Sequence, residues 1–293
     1  LHGSKGYQWS FFFYILNFLK AVFLMSSKDL ILHLGMPKTG TSFLQEDVFP
    51  TIPGLQVYRG WNNFRMLMDT PLDKKVLISD EYFSCKMTRG SLFLQFQERV
   101  QTIKKVFGDP LIVIGFRKPQ EFVLSFYKQL LHAGLYYEWK DIFNSDNKGL
   151  IKFDDLDYTK YVELLQQNFS EVLIYSNEML KHDLQKFMDR FTTFANLPKK
   201  DVEAQMGKVR NQGIKTIKQF EYLKGENLRR QKKGDELLFR LNRRFNPFFI
   251  KNPTKHAFSI KQTGNDELFT LPKDLFKYID DLHGKIWEKF NCE

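Results

Sequence analysis

Eight consecutive residues, Gly35-Met36-Pro37-Lys38-Thr39-Gly40-Thr41-Ser42, combine the groups that hold an anion: glycines, a lysine and hydroxyls. They follow the apolar run 30–34 and precede Phe43-Leu44-Gln45, which can continue as helix. A strand, a glycine-bearing turn and a helix start bring backbone N–H groups together, and the helix dipole adds positive potential. A nucleoside-triphosphate loop ends in Gly-Lys-Ser/Thr, with the lysine on the terminal phosphates and the hydroxyl on Mg²⁺. Here Thr41 follows Gly40, and the lysine comes two residues earlier, at Lys38. The spacing predicts a phosphate cradle built for a different ligand.

A second cluster, Arg117-Lys118-Pro119 followed by Ser125-Phe126-Tyr127, comes directly after the apolar run 111–116. An arginine at the carboxyl end of a strand can lean into the crevice where α/β sheets bind ligands. Pro119 suits the first turn of a helix, and Ser125 falls about two turns beyond Arg117. A guanidinium and a hydroxyl at that spacing can grip one phosphate, the arginine supplying a planar, permanently charged fork. A helix-capping arginine with a buried serine is the plainer alternative. Glu81, at the end of Val76-Leu77-Ile78-Ser79-Asp80-Glu81, faces the same crevice and is the best candidate for a base. A carboxylate that caps the next segment is the competing role, with Asp80 a second candidate base and His33 and His132 outsiders.

Two phosphate-type sites on neighbouring strand-to-helix junctions imply a ligand with anions at both ends. Residues 33–45 resemble the 5′-phosphosulfate-binding loop of the sulfotransferase family, and Arg117-x-Pro119 with Ser125-x-Tyr127 is similar to that family's 3′-phosphate motif. A looser echo is the run 172–175 followed by Glu178 and Leu180. The likeness covers about residues 29–197. It implies 3′-phosphoadenosine 5′-phosphosulfate as donor, with Pro37, Lys38, Thr39, Gly40, Thr41 and Ser42 at its 5′-phosphosulfate end and Arg117 and Ser125 at its 3′-phosphate. Lys38 would stabilise charge on the leaving phosphate; the acceptor's proton needs a base, and Glu81 is the candidate by its place at the strand end, not by any motif. A later nucleotide loop, 209–213, is the vaguest match. No metal is expected. Residues 76–81 also resemble the magnesium-holding strand of a P-loop kinase or nucleoside triphosphatase, the competing enzyme class. Against it stands Thr41 where a lysine is needed.

These residues need a scaffold that brings strand ends together. Strand-like runs at 30–34, 76–79, 111–116 and 172–175 alternate with helical periodicity at 91–107, 121–132, 158–169 and 181–195. That alternation predicts an α/β fold with a central parallel sheet flanked by helices, which the resemblance makes P-loop NTPase-like. Helical spacing returns at 214–228 and 272–290, with 245–265 between them as loop.

The chain has 293 residues, 30 of them Phe, enough for a large core. Cys85 and Cys292 alone make no disulfide framework, which favours a reducing compartment. Residues 199–255 hold 16 Lys/Arg against 6 Asp/Glu, an excess equal to the whole chain's +10. A solvated surface or a landing area for a polyanion both explain it. A nucleic-acid binder is the non-enzymatic alternative, but no nucleic-acid motif accompanies the charge, and nucleic acid is not the expected partner. The expected acceptor bears a free hydroxyl, on a carbohydrate or small molecule, and the basic segment suits an acidic carbohydrate. Its pocket is expected from 57–74, 132–157 and the basic third, with Tyr136, Tyr137 and Trp139 either stacking on a sugar or filling a core.

Residues 9–25 are apolar but contain Asn17 and Lys20, so their uninterrupted parts fall short of the roughly 20 residues a membrane span needs. Met25-Ser26-Ser27-Lys28 reads as a natural start, making residues 1–25 an extension outside a single domain at 26–293. A membrane anchor and an amphipathic helix packed on the domain are the other readings. A cytoplasmic location is the expectation, with anchoring through 9–25 as its alternative.

Overall fold

Leu30–Leu34 forms strand β1, and all five of its residues are buried. Side chains alternate across a strand, so an apolar residue at nearly every position means both faces are covered, as in parallel sheets. The computed structural model describes residues 27–60, 74–85, 90–201, 213–232, 257–260 and 266–291. Around β1 lie β2 (Leu55–Arg59), β3 (Lys75–Asp80), β4 (Leu111–Phe116) and β5 (Val172–Ser176) in the order β2-β3-β1-β4-β5, every pairing parallel. The predicted α/β architecture, a central parallel sheet flanked by helices, is what the chain adopts.

The connection from β3 to β4 jumps over β1. The carboxyl ends of β3, β1 and β4 therefore border the point where strand order reverses, the place such sheets leave a ligand crevice. Helices cover both faces. α1 (Leu92–Phe107) is capped by Ser91, whose hydroxyl accepts from Leu94 N, and it stops at Gly108 with φ 72°. It packs with α3 (Tyr158–Asn168) on one face, where Phe116 stacks on Tyr158 at 4.6 Å between ring centroids. The other face carries Ile31, Leu77, Val113, Leu173 and Tyr175 against Leu44, Val48 and Phe49, and against Phe187, Met188 and Phe191 of α5 (Leu184–Phe194). Each fully buried Leu, Ile or Phe there contributes roughly 1.5–3 kcal/mol.

The chain forms two compact units: residues 1–118, 153–210 and 286–293 make the first, and 119–152 with 211–285 the second. The first holds the sheet. The second begins with α2 (Pro119–His132) and includes α6 (Ile217–Lys232) and most of α7 (Lys273–Asn291). An antiparallel bridge joins Thr216 to Leu268, and Phe220 stacks on Phe269 at 4.3 Å. Trp139 is held against Tyr127 and Phe269, so this aromatic ring packs on protein partners.

The segment 181–195, read as one helix, is two: α4 (Asn177–His182) and α5 meet at Asp183, whose φ of −150° interrupts the helical backbone and whose carboxylate caps Lys186 N. Within 57–74, expected to line the acceptor pocket, Val57–Arg59 belongs to edge strand β2, and residues 61–73 lie outside the described ones. Residues 1–26, and 209–212 of the vague nucleotide loop, lie outside them too. Among the described residues, no helix is long and apolar enough to cross a membrane.

Candidate functional site

The loop after β1 turns sharply. Met36 N donates to Leu34 O at 2.8 Å, and the Thr39 hydroxyl donates to Met36 O at 2.7 Å. Lys38 then takes φ 68° and Gly40 φ 89°, two left-handed residues around buried Thr39. A lysine in that region is uncommon and strained. Gly40 has a further reason to lack a side chain: a Cβ there would lie 2.9 Å from Leu180 Cδ1 and 3.2 Å from Asn177 Nδ2. Leu44 N donates to Gly40 O at 3.0 Å and starts a helix, Thr41–Phe43 in α form and Leu44–Val48 in π form. No side chain caps this start, which leaves its first N–H groups directed along the axis toward the crevice.

Glu81 stands where β3 ends. Asp80 Oδ1 accepts from Tyr82 N at 2.8 Å, turning the chain into the short 3₁₀ segment Glu81–Phe83. The Ser84 hydroxyl bonds to the carbonyls of both Gly35 and Glu81, at 3.0 and 2.9 Å, which stitches this turn to the loop. Gly35 makes the approach feasible, since a Cβ there would lie 2.8 Å from Thr41 Cγ2 and 3.3 Å from Glu81 Cγ. Arg117, at the end of β4, donates from Nη1 to Lys38 O at 3.3 Å, while its own carbonyl accepts from the Tyr158 hydroxyl at 2.7 Å.

Lys38, Glu81 and Arg117 thus form one electrostatic group. Burial lowers the Lys38 pKa; the Glu81 carboxylate raises it again, and the Arg117 guanidinium pushes it down. Surrounding protein raises the Glu81 pKa above the ordinary carboxylate value despite an exposed side chain, with Lys38 opposing and Asp80 adding to the rise. Lys38 and Glu81 perturb each other at the ends of neighbouring strands, a pattern concentrated at functional sites. They can neutralise an anion, and their carboxylate, its pKa raised, is a better proton acceptor than an ordinary glutamate.

Of the residues singled out by sequence, Lys38, Thr39, Gly40, Thr41, Glu81 and Arg117 meet in the first unit. Pro37 is buried and Ser42 half-buried in the same loop and helix start. Ser125 is half-buried on α2, in the second unit. His33 is wholly buried within β1, and burial drops its pKa to about 3, so it is an uncharged imidazole at neutral pH. The sequence alone assigns no site role to Asn177 or Glu178, which open α4 directly after β5. Thr41 Oγ1, Asn177 Oδ1 and both carboxylate oxygens of Glu178 are closed off from solvent with no hydrogen-bond partner. Buried polar atoms are rarely left so. The signal was the polar run Ser176-Asn177-Glu178 at a strand's carboxyl end.

No family model matches the sequence, and no curated protein matches it. Among solved structures the chain is similar to a sulfotransferase from Alicyclobacillus acidocaldarius, with 11% identity and a TM-score of 0.44 over 60% of this chain and 87% of that one. It is also similar to a mouse sulfotransferase complexed with PAP, at 18% identity and TM-score 0.40, covering 65% and 66%. A third is retinol dehydratase in a complex with retinol and PAP, at 11% identity and TM-score 0.38, covering 92% and 84%. What Lys38, Glu81 and Arg117 can do chemically follows from their own geometry.

Proposed function

We propose that this chain is a sulfotransferase, moving a sulfonate group from 3′-phosphoadenosine 5′-phosphosulfate to an acceptor hydroxyl by in-line displacement. The observation that carries this reading is the Lys38–Glu81–Arg117 group: two cations and one carboxylate, with Lys38 on the loop after β1 and Glu81 and Arg117 at the carboxyl ends of β3 and β4. The residues present fit the donor. Thr41 Oγ1 is buried without a partner at the helix start, suited to a phosphate oxygen, and Gly40 leaves the loop backbone bare. Pro37 to Ser42 hold the 5′-phosphosulfate end, and Arg117 offers a planar fork to the 3′-phosphate.

The bound donor supplies an electrophilic sulfur carrying a phosphate leaving group. Glu81 takes the proton of the acceptor hydroxyl as the new O–S bond forms, a task its raised pKa suits. Lys38 neutralises the charge that grows on the departing phosphate oxygen as the old S–O bond breaks, and partial desolvation strengthens that interaction. The acceptor is a hydroxyl-bearing carbohydrate or small molecule; the basic balance of residues 199–255 favours an acidic carbohydrate.

Titration calorimetry with 3′,5′-diphosphoadenosine (PAP) in EDTA tests the reading. Saturable binding without metal supports it. Absence of binding together with Mg-ATP hydrolysis would overturn it in favour of the kinase class.

A further inference from the structure

Beneath the loop, four side chains with no part in the chemistry proposed above form a line across the sheet. Gln45 Nε2 donates to Ser79 Oγ at 2.8 Å and to Ser79 O at 3.1 Å. Ser79 Oγ lies 2.7 Å from His33 Nδ1, and His33 Nε2 lies 2.8 Å from the Tyr175 hydroxyl. His33, Ser79 and Tyr175 are all buried. The Thr39 hydroxyl stands beside the Tyr175 phenol, close enough to offset part of the burial that raises its pKa.

The register explains the assembly. His33 and Ser79 are direct partners in the β1–β3 pairing, and their side chains share a face. Tyr175 sits on β5, separated from β1 by β4. Its β4 partner is Gly115, and any side chain there would fall inside the Tyr175 ring. The bare glycine lets the ring cross β4 and reach His33.

A neutral imidazole has one N–H and one acceptor nitrogen. One proton arrangement uses every group in turn: Gln45 N–H to Ser79 Oγ, Ser79 O–H to His33 Nδ1, and His33 Nε2–H to the Tyr175 oxygen. In the opposite tautomer Ser79 would accept twice, and its own proton would find no acceptor in the line.

We propose that Gln45, Ser79, His33 and Tyr175 are positioning residues for the Lys38 loop. Gln45 fastens the helix that follows the loop, and Tyr175 supports Thr39 from below. The line therefore holds the centre of the left-handed pair Lys38 and Gly40, at Thr39, and the helix on its carboxyl side, so that the strained backbone does not relax. Its consequence for donor binding rests on the sulfotransferase reading above.

The test uses Tyr175→Phe, Ser79→Ala and the double variant, each of which removes only hydroxyls. Hydrogen–deuterium exchange of peptides covering residues 35–45 should show faster exchange in each single variant. PAP affinity, measured well below the melting temperature, should fall about tenfold in each, the scale of one buried hydrogen bond. Because both cut one line, the double variant should lose little more than either single one. Loop exchange and PAP affinity both unchanged in the single variants would overturn the proposal, as would losses that multiply fully in the double. If the wild type fails to bind PAP, the donor reading falls, and the exchange measurement alone still decides whether the line holds the loop.

Discussion

The backbone carbonyl of Lys38 accepts a hydrogen bond from Arg117 Nη1 at 3.3 Å, joining the loop after β1 to the end of β4 across 79 positions. The guanidinium is thereby held in place, with Tyr158 fixing the Arg117 carbonyl from the other side. An arginine so fixed keeps its planar, permanently charged group at the strand end without further ordering. Arg117→Ala should weaken PAP binding by about 10- to 100-fold, the scale of one charge-assisted hydrogen bond of roughly 1.5–3 kcal/mol. Arg117→Lys should recover only part of that, because an ammonium keeps the charge and loses the fork. Calorimetric affinities equal to wild type in both variants would remove Arg117 from the site.

In the proposed reaction Lys38 stands where charge grows. Lys38→Ala should lower PAP release from the sulfonate donor by about 10²–10³-fold, as loss of a charge-stabilising group at a reacting centre does. The backbone amides stay in place, so PAP should still bind. Lys38→Gly separates conformation from charge: it relieves the φ of 68° and should melt no lower than Lys38→Ala while being equally inactive. A Lys38→Gly variant with near-wild-type turnover would show that the ammonium is dispensable.

The pH profile should carry the signature of Glu81. Its folded pKa is raised, so a rate that needs the carboxylate is full above that pKa and falls as pH drops through it, above the ordinary carboxylate range. Glu81→Gln should abolish turnover and keep PAP binding. The same shift has a stability consequence of opposite sign. An acid whose folded pKa lies above its unfolded value destabilises the native state once ionised, so its contribution worsens as pH rises from the unfolded pKa through the folded one. Glu81→Gln should then melt no lower than wild type at pH 8, with any gain fading below pH 4.5, the ordinary value for a glutamate. A turnover profile with an unshifted acidic limb in the Gln variant would move the base elsewhere.

Much of this site could be read from the chain because its parts sit at strand ends. β1 and β4 have the bounds their apolar runs predicted, and Lys38, Glu81 and Arg117 all fall within a few residues of such runs. β2 was not legible: Gln56 and Arg59 break the apolar run, as an edge strand partly open to solvent permits. The positive φ of Lys38 left no trace either, since the usual marker is glycine. The Tyr175–His33 bond joins residues 142 positions apart. Strand order brings them close, and only the vacancy at Gly115 lets them touch; neither is a local property of the sequence.

That vacancy makes the final prediction. A methyl group at position 115 would occupy the space of the Tyr175 ring, and both residues lie in a sheet packed on each face. Gly115→Ala should therefore cost about 1–3 kcal/mol by overpacking, although alanine otherwise suits a strand better than glycine. Tyr175→Leu removes the ring at its own cost in buried surface. In that background the added methyl has room, so Gly115→Ala/Tyr175→Leu should unfold within about 0.5 kcal/mol of Tyr175→Leu alone, a coupling that independent sites do not show. Urea titrations of the four proteins measure it. Equal costs for Gly115→Ala in both backgrounds would mean that the glycine serves something other than the Tyr175 ring.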